Sequence, residues 1–153
     1  MKRIYLFGLL PAILMFLFAS CAREVAENAD DIEKRILEAH IIANYHTTIQ
    51  PTQTGLYVVS TTNGNGKTVS DTSSLFVKYS VLNLNNEYVS TTDSSIAKVI
   101  GTYKDTTYFG PVLYTIGNYS LTKGVEEALV GLKEGARIKF IQPSWLSVYN
   151  FEG

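Results

Sequence analysis

The sequence predicts an α+β fold, an antiparallel β-sheet with one apolar face covered by a short helix. Three observations point there. From Gly55 onwards, runs rich in Tyr, Val and Thr alternate with turns built on Gly and Asn. The turns are short, so neighbouring strands return as hairpins. One helical repeat, Val125, Ala128, Leu129 and Leu132, is embedded among the strands.

The first element is an address. Lys2 and Arg3 precede an apolar run from Ile4 to Phe18, and small residues lead to Cys21. That order marks a secretory signal rather than a structural element. The uncharged run also borders on the length of a spanning helix, so an uncleaved anchor is an alternative. Leu17-Phe18-Ala19-Ser20-Cys21 resembles a bacterial lipobox, with Phe18 where an aliphatic residue is usual. The resemblance implies cleavage before Cys21 and lipidation of its thiol and new amino group. Several acyl chains make a lasting anchor, at about 0.8 kcal/mol per buried CH₂. Ala22, rather than Asp, then implies the outer membrane by the same resemblance, at its periplasmic face or at the cell surface. An ordinary signal ending at a chance cysteine is the competing reading.

The expected domains are a signal at 1–20, a tether and amphipathic helix at 21–50, and a folded domain at 51–153. Ile32, Ile36, Ala39 and Ala43 recur at steps of 4, 3 and 4 and predict a helix over 32–46 with that stripe as its apolar face. Asp30 and Asp31 suit its start. The stripe fits its own domain or a second copy of the chain. His40 and His46 are six residues apart and do not form a metal pair.

Leu56 to Val59 is β-prone, and Asn63-Gly64-Asn65-Gly66 is a turn cluster without the spacing of a phosphate loop. Ser74 to Leu84 alternates, with Leu75, Val77, Tyr79 and Val81 on one face. Asn85-Asn86 predicts a hairpin turn, and Glu87-Tyr88-Val89 the returning strand. Residues 92–105 read as a polar loop with a small apolar insert, Ile96 to Ile100. Thr106 to Ile116 is β-prone and broken at Gly110-Pro111. Gly117 to Ser120 is a turn. The helix with Val125, Ala128, Leu129 and Leu132 inward ends at Lys133-Glu134-Gly135. Ala136 to Ile141 is a strand with Ile138 and Phe140 on one face, and Pro143 to Leu146 turns away. One short helix among four or five strands is the sum.

Composition narrows function. The 153 residues are 46% hydrophobic and 12% aromatic, which excludes a disordered tail. Thirteen Lys and Arg against 14 Asp and Glu exclude a strongly basic nucleic-acid binder. One Cys and two His exclude an internal disulfide and a Cys/His zinc site. Without residues 1–20 the balance is 11 basic against 14 acidic, a net charge of −3.

Gly124-Val125-Glu126-Glu127-Ala128-Leu129, Leu132-Lys133-Glu134-Gly135 and Ile141-Gln142-Pro143-Ser144 resemble the signature of FKBP-type peptidyl-prolyl isomerases. Val77-Lys78-Tyr79-Ser80 is similar to that family's strand with its pocket tyrosine. The likeness runs from about Gly55 to the C-terminus. With the anchor and the helix it resembles FKBP-type lipoproteins of Bacteroides-like bacteria.

The resemblance implies a sheet wrapped on the short helix and a pocket that rotates prolyl amides. It implies catalytic roles for Tyr79 and Leu121 in the wall, the Thr122 backbone N–H as a donor, and Val125 at the floor, where the family has Trp. It implies substrate contacts for Val89 and Ser90 (in place of Phe-Asp), Val112 and Tyr149, and Phe109 and Trp145, with Tyr108, are the loop aromatics expected to refill the pocket. Smaller side chains at three of these positions imply weakened turnover. The family domain closes with one further strand beyond the stretch matched here, so the resemblance implies that the sequence is a fragment of a longer chain, or that a partner or Leu56 to Val59 takes that strand's place.

The expected function is thus a lipid-anchored prolyl isomerase that assists folding outside the cytoplasm. The alternative is a non-catalytic chaperone or peptide-binding module on the same fold. Expected partners are proline-containing unfolded or newly exported chains, the membrane through Cys21, and a second copy through helix 32–46. No nucleic acid, metal or cofactor is expected.

Overall fold

The computed structural model describes residues 28–148; Cys21 and Tyr149 lie outside the described residues. The chain divides into two compact units, Met1–Ile32 and Glu33–Gly153. The boundary falls inside helix α1, Ala29–Tyr45, so the described part of the first unit is little more than that helix's first turn.

Asp30 and Asp31 occupy the first turn of α1, where the helix dipole favours acids. His46 ends it with φ 52°. Leu37 and Ile41 are its buried residues, and they pack with Tyr57, Tyr45, Ile49 and Ile141. This corrects the expected face. Ile32, Ile36, Ala39 and Ala43 are exposed, whereas residues 37, 41 and 45 line the side turned to the domain. A helix with apolar side chains on two sides satisfies the spacing rule twice, and only packing selects between them.

Among the described residues the strands form three two-stranded antiparallel sheets rather than one. β1 (Tyr57–Thr62) pairs with β6 (Arg137–Ile141), with Tyr57 opposite Ile141 and a register shift after Val58. β2 (Ser74–Val77) pairs with β5 (Val112–Thr115), with Val77 opposite Val112. β3 (Ser80–Leu82) pairs with β4 (Tyr88–Thr91). The predicted strand over 74–84 is therefore two strands, interrupted at Lys78-Tyr79. The Asn85-Asn86 turn forms as expected. Asn86 has φ 63°, and the Asn83 side chain accepts from the Asn85 and Glu87 N–H groups.

Helix α2 (Ser94–Val99) stands where the sequence reads as loop. The Asp93 carboxylate caps it, accepting from the Ser95 N–H at 2.8 Å and the Ile96 N–H at 3.2 Å. Ala97, within it, is fully buried. Helix α3 (Lys123–Leu129) is the embedded helix, and a 3₁₀ turn follows at Ser144–Leu146.

Two clusters meet at α3. Ala128 packs with Leu56, Leu146, Val58, Ile138 and Phe140 from the β1–β6 side. Its neighbour Leu129 packs with Ile116, Leu121, Leu75, Val77 and Tyr114 from the β2–β5 side. Ile138 and Phe140 share a face, as predicted. Each buried Leu or Ile contributes about 1.5–3 kcal/mol, so a seven-residue helix with little intrinsic stability is held by its packing. Gly124 is set by close approach: a Cβ there would lie 2.6 Å from the Gln142 side-chain oxygen.

Candidate functional site

Tyr79 lies in the break between β2 and β3, and its neighbour across the chain fixes it there. Thr92 is 7% exposed. Its Oγ1 accepts from the Tyr79 N–H at 2.9 Å and donates to the Tyr79 carbonyl at 3.2 Å. The Thr92 N–H donates to that same carbonyl at 2.9 Å, and the Thr91 hydroxyl adds a bond at 3.3 Å. The backbone is held while the residue as a whole is 37% exposed. The Tyr79 ring meets Tyr114 at 6.5 Å between centroids, tilted by 57°.

Tyr114 belongs to the cluster that also contains Leu121, Val125 and Val77. Val112 lies opposite Val77 in the same sheet. Tyr79, Leu121, Val125 and Val112 thus lie, with Val77, in one aromatic and aliphatic region around Tyr114. Tyr114 itself escaped the sequence reading. Its signal was present: it alternates with Val112 along one face of β5, two residues on.

Thr122 begins α3 at the margin of this region. Its hydroxyl donates to Gln142 Oε1 at 3.0 Å, and Gln142 Nε2 donates to the Ser147 hydroxyl at 2.8 Å. The preceding turn is tied to the same helix, because the Gly117 N–H donates to Glu126 Oε1 at 2.9 Å.

Other predicted residues lie elsewhere. Trp145 packs in the β1–β6 cluster with Leu56, Ala128 and Leu146. Its indole N–H donates to the Thr54 carbonyl at 2.9 Å, and Thr54 in turn donates to Glu127. Phe109 stacks on Tyr103 at 5.3 Å and 17°, with the Lys98 ammonium 4.6 Å from the Tyr103 ring centroid. Val89 and Ser90 lie on the exposed strand β4, Ser90 opposite Val81.

A small cleft of about 80 Å³ lies apart from this region, lined by Glu38, Ile41, Ile42, Thr48, Ile49, Gln50 and Pro51. Close by, burial pushes the Tyr57 hydroxyl above its ordinary pKa of 10.0, with the Glu38 charge adding to the shift. At the α2 cap, backbone N–H donors from Ile96 and Ser95 hold the Asp93 carboxyl below its usual 3.8. Among the described residues no helix is long and apolar enough to cross a membrane. Compared with protein-family models and with curated proteins, the sequence matches none.

Proposed function

We propose that the chain is a lipid-anchored peptidyl-prolyl isomerase acting outside the cytoplasm, held at the outer membrane through Cys21. The observation that carries the reading is the Tyr79–Tyr114 ring pair beside Leu121 and Val125. The resemblance of Gly124 to Ser144 to FKBP-type isomerases supports it.

The chemistry asks for little else. A prolyl amide resists rotation by about 18–20 kcal/mol because resonance keeps it planar. The twisted amide has less charge separation, so an apolar surface favours it over the planar form. Tyr79 and Tyr114 would bound the proline ring. Leu121 and Val125 would exclude water beneath it, and the Thr122 N–H would hold a flanking carbonyl. No bond is made or broken. Proline-containing unfolded or newly exported chains are the substrates this mechanism takes.

The test uses the full chain in detergent micelles and a short proline-containing peptide. Tyr79→Ala should lower kcat/KM about tenfold, or about 1.4 kcal/mol of transition-state stabilisation, with the fold retained. An unchanged rate in a folded variant would refute the assignment. A second reading, peptide binding without turnover, draws on the exposed apolar hairpin at Val81, Leu82, Leu84, Tyr88 and Val89. Binding of unfolded protein with no acceleration of isomerisation would favour it.

A further inference from the structure

Asn63-Gly64-Asn65-Gly66 contains the chain's two Asn-Gly pairs. An Asn-Gly pair is chemically labile. The glycine backbone nitrogen is within reach of the asparagine side-chain carbonyl, and glycine has no Cβ to obstruct the approach. In an unfolded chain the two pairs differ little. The fold makes them unequal.

Beyond β1 the chain continues along residues 131–136. The Gly66 N–H donates to the Glu134 carbonyl at 3.1 Å, the Glu134 N–H to the Lys67 carbonyl at 2.8 Å, and the Val69 N–H to the Leu132 carbonyl at 2.7 Å. Thr68 pairs with Lys133 in the same ribbon. The nitrogen that would attack Asn65 is thus engaged. The Gly64 N–H makes no hydrogen bond among the described residues, nor does the Asn63 side chain, and Asn63 is exposed.

We propose that Asn63 is a site of spontaneous deamidation, while Asn65 is protected by the bond from Gly66 to Glu134. The Gly64 nitrogen forms a bond to Asn63 Cγ. The bond from Cγ to Nδ2 breaks, and the side-chain nitrogen leaves as ammonia with the Gly64 proton. Water then opens the resulting succinimide at either carbonyl, giving aspartate or isoaspartate. Nothing is oxidised or reduced. Isoaspartate routes the main chain through Cγ and adds a methylene just before Gly64. Space there is short: a Cβ on Gly64 would lie 2.5 Å from the Ala136 nitrogen and 2.6 Å from the Lys133 carbonyl oxygen. The lengthened chain displaces Gly64 and pulls at the Gly66–Glu134 bond, which holds the ribbon just ahead of β6.

In the test, the full chain in detergent micelles is aged at mildly alkaline pH and digested, and peptide fragmentation assigns each amide-to-acid conversion to position 63 or 65. Conversion at 63 should outpace conversion at 65 about fivefold, the effect of one engaged backbone N–H. In urea the two rates should become equal. Equal rates in the folded chain, faster conversion at 65, no conversion at either, or a preference that survives unfolding would each overturn the proposal. The isoaspartate form, separated by its charge, is then unfolded in urea beside Asn63→Asp, which carries the same charge on an ordinary backbone. The isoaspartate form should unfold at the lower midpoint. Equal midpoints would overturn the displacement of Gly64.

Discussion

Replacing Thr92 by Val removes one hydroxyl at nearly constant volume and tests how Tyr79 is held. The Tyr79 carbonyl loses one donor but keeps the Thr92 N–H at 2.9 Å and the Thr91 hydroxyl. The Tyr79 N–H loses the acceptor at 2.9 Å that the hydroxyl provides. The effect therefore reduces to one orphaned backbone donor, which costs about 1–3 kcal/mol when buried. This donor is only partly buried, so water reaches it in part and the lower end applies, about 1–1.5 kcal/mol. At about 4 °C per kcal/mol, the melting temperature should fall by about 4–6 °C. Urea unfolding of the full chain in micelles, followed by the fluorescence of its one Trp, measures the change. Thr92→Ser is the control: it keeps the hydroxyl and loses one methyl, worth about 0.8 kcal/mol at most. A Val variant as stable as the parent, or more stable than the Ser variant, would refute the clamp.

Three further outcomes follow from the same geometry. Gly124→Ala should destabilise by about 1–3 kcal/mol, because the new methyl meets Gln142 at 2.6–2.8 Å; shortening the obstacle with Gln142→Ala should recover part of the loss in a double-mutant cycle. Tyr57, whose pKa is raised in the fold, favours the folded state below pH 10.0 and loses that contribution as pH climbs through its folded value. Tyr57→Phe should remove a late-ionising step from the ultraviolet titration of the folded chain, and a titration that the substitution leaves unchanged would contradict the burial of that hydroxyl. Asp93 has the opposite sign. Its lowered pKa gives stability above the ordinary value of 3.8 that disappears as pH falls through the folded value. A carboxyl resonance titrating at or above 3.8 would contradict the cap at α2.

The parts legible in the sequence are those whose determinants sit close together. The β3–β4 hairpin follows from Asn85-Asn86, and the inward face of β6 from the alternation of Ile138 and Phe140. Helix α3 follows from four apolar residues on one side. What escaped depends on distant partners. Helix α1 has two apolar stripes, and the positions of Tyr57 and Ile141 decide which one is covered. Helix α2 begins with two serines and is too short for a clear period; its Asp93 cap is the signal that was passed over. The break at Lys78-Tyr79 depends on Thr92, thirteen residues away. In the candidate site, Tyr79, Leu121, Val125 and Val112 gather around Tyr114, whereas Trp145 and Phe109 are engaged elsewhere. An aromatic side chain near a motif carries no statement of which core it joins.

The strand pairings have a consequence for how the chain acquires its structure. The β3–β4 ladder lies wholly within the segment enclosed by β2 and β5, and that segment lies wholly within the one enclosed by β1 and β6. Such pairings nest like brackets. Closing an inner pair gathers the chain between the outer partners and shortens the loop they must still close. Assembly from the inside outwards therefore follows the gentlest entropic slope, beginning at the Asn85-Asn86 turn and ending when β6 reaches β1. Tyr57, in β1, leaves the ribosome well before Ile141, so the first strand made is the last to find its partner. Leu56 and Tyr57, among the most deeply buried residues of the finished fold, spend that interval exposed, which is when a newly made chain most needs protection from aggregation.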